Sequence, residues 1–168
     1  MLNENVEKKL LLQIEKEFYS SNLYLAMGAW AESKGYAGIA DWLYAQADEE
    51  RLHALKFLRY VTNRGGNVIV PALEQPPVDY KSVKNLFEMV LDHEELITNS
   101  INQIVFVALK EEDFTTHNWV QWFVNEQIEE ESNVRTILDK IKLAGDNLYL
   151  FDRDIMTLRQ ASANEAGA

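Results

Sequence analysis

The chain has no cysteine among its 168 residues. That excludes disulfides, zinc–thiolate sites and iron–sulfur clusters, all of which need sulfur ligands. Proline is nearly as scarce: Pro71, Pro76 and Pro77 are the only three, and they sit close together. Glycine occurs only seven times. With so few breakers, long stretches are free to be helical. Long apolar runs are missing too; none approaches the ~18 residues that suggest a membrane span. Positive charge is in short supply, with 16 Lys and Arg against 27 Asp and Glu and a formal net charge of −11. Such a surface repels nucleic acid and anionic membrane faces, and it attracts cations. The opening residues Met1-Leu2-Asn3-Glu4-Asn5 have neither the basic nor the apolar region of a secretory signal. The expectation is a soluble, cytoplasmic protein with no nucleic-acid or membrane partner.

What the chain does have is apolar periodicity. Hydrophobic residues make up 47% of it, and the length suits one domain, expected over 1–168. The first helix is expected over Glu4 to Ser33 and the second over about Ala37 to Arg64, with Gly35 and Gly38 opening the turn between them. The third is expected from near Ser82 to Lys110, with Ser82 as its N-cap. The fourth is capped by Thr115 or Thr116 and ends at Ala144, before Gly145. A short fifth helix is expected at about 148–160, with a frayed tail over 161–168.

Each long helix has a stripe of residues that share a face. Leu10, Ile14, Glu17, Ser21, Tyr24 and Gly28 form the first stripe, and Leu43, Ala47, Glu50, Ala54, Phe57 and Val61 the second. Phe87, Leu91, Glu94, Thr98, Ile101 and Val105 form the third, and Val120, Phe123, Gln127, Glu130, Val134, Ile137 and Ile141 the fourth. The segment between helices two and three contains all the prolines and reads as an extended connector. At ~3.3 Å per residue it is long enough to run back along a whole helix. Loops that read short, long, short give an all-α four-helix bundle, about 4–145, with one long crossover and the added C-terminal helix.

Each stripe carries one carboxylate at about its helix midpoint, namely Glu17, Glu50, Glu94 and Glu130, so the four should meet in one layer. His53 and Gln127 join them. Glu50-x-x-His53 offers a metal an oxygen and a nitrogen from one helical face. Burying four unpaired carboxylates costs several kcal/mol each even after relaxation, on the order of tens in the ideal limit. Two divalent cations neutralise them, and a carboxylate-rich set with one imidazole suits iron or manganese. Glu49, Glu126 and Glu129 lie beside this layer as further metal candidates. Tyr24 and Trp122 read either as packing or as aromatics that hydrogen-bond near the metals or supply an electron. His93 and His117 are expected at the surface. Glu111, Glu112 and Asp113 are candidates for lining an ion entrance.

The residues from Glu17 to Tyr24, Asp48-Glu49-Glu50-Arg51-Leu52-His53, His93 to Thr98, Gln121 to Glu131, Leu143-Ala144-Gly145 and Leu148-Tyr149 together resemble the bacterial non-haem ferritins, members of the ferritin-like di-iron carboxylate family. The resemblance covers nearly the whole chain. It implies iron storage and detoxification by a ferroxidase, which oxidises Fe(II) with O2 or peroxide and deposits ferric mineral inside a homo-oligomeric shell of twenty-four subunits. Glu17, Glu50 and His53 hold one iron in that reading. Glu50 bridges, and Glu94 and Glu130 hold the second with Gln127 nearby. Glu49, Glu126, Glu129 and Glu130 form a third iron site, and Tyr24 and Trp122 stand beside the centre. Leu52 occupies the place of the haem-ligating methionine of bacterioferritins, so no haem is expected. The alternative is a di-metal oxygenase or peroxide-consuming enzyme in an assembly that is not a shell.

Overall fold

The computed structural model describes residues 2–165, and side chains through Arg159. Among the described residues there are five helices and no strand: α1 (Glu4–Ser33), α2 (Ala37–Asn63), α3 (Val83–Lys110), α4 (Phe114–Ala144) and α5 (Tyr149–Glu165). The fold is the four-helix bundle with a crossover and a C-terminal helix. Among the described residues no helix is long and apolar enough to cross a membrane.

Two expected boundaries differ. Asp113, not Thr115 or Thr116, caps α4: its carboxylate accepts from the Thr116 backbone N–H at 3.0 Å. A capping side chain accepts from a backbone N–H two or three residues further on, and Asp113 stands three before Thr116. The fifth helix continues to Glu165. Residues 161–165, expected as frayed tail, are therefore helical, and 166–168 lie outside the described residues.

The connector acts as a strap along α1. At its start the Asn67 N–H donates to Glu7 Oε1 at 3.0 Å, near the beginning of α1. Near its end the Trp30 indole donates to Asp79 Oδ1 at 2.9 Å, and Tyr80 packs edge-on against Trp30. From Glu7 to Trp30 an α-helix advances ~35 Å. The strap covers that distance, so α3 begins at the end of the bundle where α2 began, and the two run parallel.

α1 packs closely on α2 and α3, and α3 on α4. Between α2 and α4 large side chains fill the gap; Phe57 stacks on Phe123 with ring centroids 4.1 Å apart. The apolar interior is in two pieces. One contains Leu23, Met27, Leu43, Phe87 and Ile137; the other contains Leu10, Ile14, Phe57, Ile101 and Phe123. The residues that separate them are polar.

α5 docks on the start of α2. The α2 N-cap position, Tyr36, makes no side-chain cap bond. Asp152 of α5 supplies one instead, accepting from the Ile39 N–H at 2.9 Å. A carboxylate at a helix N-terminus satisfies an orphan donor and faces the positive end of the dipole. The approach is so close that a Cβ on Gly38 would lie 1.8 Å from the Asp152 carbonyl oxygen. Gly38 is thus a packing glycine inside α2 rather than part of the preceding turn.

Candidate metal centre

The polar waist between the two apolar clusters is built from all four long helices. Glu17, Glu50, Glu94 and Glu130 are all buried, as are Gln13, Gln46, His53 and Gln127. Helical periodicity sets these side chains on the core stripes, and the matched mid-helix positions bring them to one level.

Three of them converge. Glu17, Glu50 and His53 each present a ligand atom, and all three atoms lie within 4.8 Å of one another. His53 Nδ1 is 3.4 Å from Glu50 Oε2. Glu17 Oε1 accepts from Gln13 Nε2 at 2.7 Å, whereas its other oxygen is buried with no hydrogen-bond partner among the described residues. A buried carboxylate oxygen without a donor is costly, and a cation is the partner it lacks. The site fits a divalent metal on that ground and on its oxygen-plus-imidazole donor set.

Glu94 and Glu130 share the layer but belong to neither of the convergent groups. Glu94 accepts from the Tyr24 hydroxyl. Gln127 Nε2 donates to Glu94 Oε2 at 3.0 Å and to the Glu94 backbone carbonyl at 3.2 Å. Gln127 therefore positions Glu94 through its Nε2. Glu130 Oε2 accepts from Gln46 Nε2 at 2.7 Å.

A second convergent group, Glu49, His53 and Glu126, has its ligand atoms within the same 4.8 Å and shares His53 with the first. It lies toward the surface, since Glu49 and Glu126 are only partly buried. Glu129 is exposed and outside both groups. Its charge nevertheless acts on Glu126.

The electrostatics match a waist that holds negative charge poorly by itself. Burial, with Glu50 next, pushes the Glu17 carboxyl well above the usual range; burial, with Glu94 next, does the same to Glu50 and Glu130. Glu94 is raised by burial too, against the opposing bonds from Tyr24 and Gln127. The Tyr24 phenol is raised by burial and by Glu94. Burial disfavours the ionised form of every one of these groups, and a cation reverses that preference.

Trp122 and Phe123 close one side. Their rings lie 5.5 and 5.7 Å from the His53 ring, both edge-on. Trp122 is partly exposed, and the Lys56 ammonium sits 3.0 Å above its ring.

His93, expected at the surface, is half-buried. Its Nε2 is 2.7 Å from Ser20 Oγ and its ring packs against Tyr19 and Tyr24. Burial, with the Lys16 charge next, pushes its pKa down to about 4. Asp113 is committed to the α4 cap and to Arg64, and Glu111 to Asn3 and Asn5. Sequence reasoning did not find Gln13, Gln46 or Arg159. Gln13 and Gln46 stand four residues before Glu17 and Glu50, one helical turn away, and that spacing is the signal that could have found them. Arg159 comes from α5 and carries no such signal. It donates to Glu49 Oε2 at 2.5 Å and to Gln46 Oε1 at 2.8 Å.

Fold and site together define a class: crossover helical bundles with a carboxylate-and-imidazole centre at the waist. Within that class the chain belongs to the ferritins, for the Ferritin-like domain matches residues 7–144. Over 161 residues it is 42% identical to a probable bacterial non-heme ferritin-like protein of Haemophilus influenzae, covering 94% of this chain and 98% of that protein. It is 41% identical to a bacterial non-heme ferritin of Campylobacter jejuni, covering 94% and 96%. Among solved structures, an open pore ferritin from the archaeon Archaeoglobus fulgidus matches with a TM-score of 0.90 at 38% identity, covering 92% of this chain and 96% of that one.

Proposed function

We propose that the protein is an iron-storage ferroxidase. The observation that carries the reading is the buried convergence of Glu17, Glu50 and His53, with one Glu17 oxygen lacking any donor. Fe(II) is the substrate. Glu17, Glu50 and His53 take one ion, and Glu50, Glu94 and Glu130 the second. Glu49, Glu126, Glu129 and Glu130 take a third nearer the surface. Two Fe(II) give up one electron each. O2 accepts both with two protons and leaves as hydrogen peroxide; when peroxide is the oxidant, it accepts two electrons and two protons and leaves as two waters.

The protein's part is binding and charge compensation. Four glutamates offset the rising charge as Fe(II) becomes Fe(III). Gln13 and Gln46 fix Glu17 and Glu130, and Tyr24 and Gln127 fix Glu94, so the layer keeps its shape as ions pass. The product Fe(III) leaves for the cavity of a homo-oligomeric shell, in keeping with the acidic composition and with exposed apolar side chains such as Phe106 and Ile128, 61% and 66% exposed, that suit subunit contacts. Membership of the ferritins favours twenty-four subunits.

Stopped-flow oxidation with an oxygen electrode tests the reading. Anaerobic protein loaded with two Fe(II) per chain and mixed with O2 should oxidise iron far faster than buffer, using one O2 per two Fe(II). Glu50→Ala should oxidise it at close to the buffer rate. Equal rates in wild type and Glu50→Ala would contradict the proposal. Light scattering separates storage from the oxygenase alternative, because a large hollow particle supports storage and a dimer does not.

A further inference from the structure

The two convergent groups differ in how their charge is met. At the inner one, buried glutamates meet amide donors, and one Glu17 oxygen has no donor among the described residues. At the outer one a cation is already present. Arg159 reaches from α5 to Glu49 Oε2 at 2.5 Å. The same guanidinium donates to Gln46 Oε1 at 2.8 Å, and Gln46 donates in turn to Glu130 at 2.7 Å. A third contact, to the Ala45 carbonyl at 3.4 Å, holds the group against α2. Arg159 thus spans the surface carboxylate of the outer group and, through one amide, a carboxylate of the buried layer. Glu49 and Arg159 are partly exposed, at 31% and 29% of their side chains, so water and ions reach the pair.

We propose that Arg159 is a tethered counter-cation that governs the outer metal site. It rests on the reading of Glu49, His53 and Glu126 as a metal group. A guanidinium is always charged and binds a carboxylate strongly, but it cannot leave its chain. An incoming divalent cation meets a repelling charge and a Glu49 carboxylate with one of its two oxygens already bonded. To take both Glu49 oxygens it must free the carboxylate from Arg159. Filling the outer site therefore loosens the end of α5, and docking of α5 weakens the outer site by the same factor. The inner site has no such competitor and fills first. Arg159 is a positioning residue here, for it touches Glu49 and not the cation.

Zn(II), which is redox-inert, is the probe. The intact assembled protein is titrated calorimetrically, with light scattering on every variant. Arg159→Gln should bind the equivalent beyond the first two about tenfold more tightly than wild type, an order-of-magnitude expectation for removing one charge from a half-exposed site. The first equivalent, held by Glu17, Glu50 and His53, should be unchanged. Arg159→Lys keeps the charge but loses the fork that spans Glu49 and Gln46, so it should fall between, and it decides the matter if Arg159→Gln fails to assemble. Zn(II) beyond two equivalents should speed amide exchange in the last turns of α5 in wild type but not in Glu126→Gln. Equal or weaker outer binding in Arg159→Gln, or α5 exchange that ignores Zn(II), would overturn the inference. If Glu49→Gln and Glu126→Gln leave every Zn(II) phase unchanged, the metal reading of the outer group falls, and the inference falls with it.

Discussion

Single side chains decide whether the waist binds or merely tolerates charge. Glu17 illustrates this: one oxygen is held by Gln13 and the other is buried without a donor. Gln13→Leu keeps the volume but leaves Glu17 free to turn. Partners of ligands typically contribute 10–100-fold to metal affinity. We expect Gln13→Leu to weaken the first Fe(II) equivalent by about tenfold in anaerobic titration, with no loss of assembly. The four glutamates were legible in the sequence because each interrupts an apolar stripe at mid-helix. The role of Gln127 was not legible, since an amide three residues from a glutamate reads equally as ligand or donor. His93 was misplaced for a similar reason: its partner, Ser20, lies on another helix.

Caps and crossings between helices carry the next level of organisation. Burial alone would raise the Asp113 carboxyl, but bonds from Thr116 and Arg64 outweigh it and hold the group below its usual range. A carboxylate depressed on folding contributes stability that is present above its unfolded pKa and is lost as pH falls through its folded one. Asp113→Asn should therefore lower the melting temperature at pH 7 and flatten the acid side of the stability profile below pH ~4. An acid limb identical to wild type in thermal melts would count against that cap. Gly38→Ala places a methyl group against the Asp152 carbonyl. It should release α5, seen as faster amide exchange over 149–159, and remove the trans cap on Ile39. Helix bounds were readable because breakers are so few, but the pairing of Gly38 with Asp152 joins residues 114 positions apart (152 − 38), which no local pattern encodes. Phe57→Ala opens the contact with Phe123 and should cost about 3–5 kcal/mol in denaturant unfolding.

At the scale of the whole molecule, a polar layer divides the core, and stability and function share that layer. A bundle with two apolar ends and four buried glutamates between them is stabilised by whatever neutralises the middle. A divalent ion that binds only the folded state adds about 2.7 kcal/mol at 100 times its Kd. Melting temperature should accordingly rise with anaerobic Fe(II) or with Zn(II), and the rise should shrink sharply in Glu17→Gln. The bundle itself follows from loop lengths and stripes, and the proline-rich connector makes the crossover legible. On the proposed function, paired cations hold the buried glutamates in place. Anomalous scattering from a crystal soaked anaerobically in Fe(II) tests it most directly. Two strong iron peaks are expected inside the layer, one touching Glu17, Glu50 and His53 and one touching Glu50, Glu94 and Glu130. An empty layer, with iron only at surface carboxylates, would contradict it.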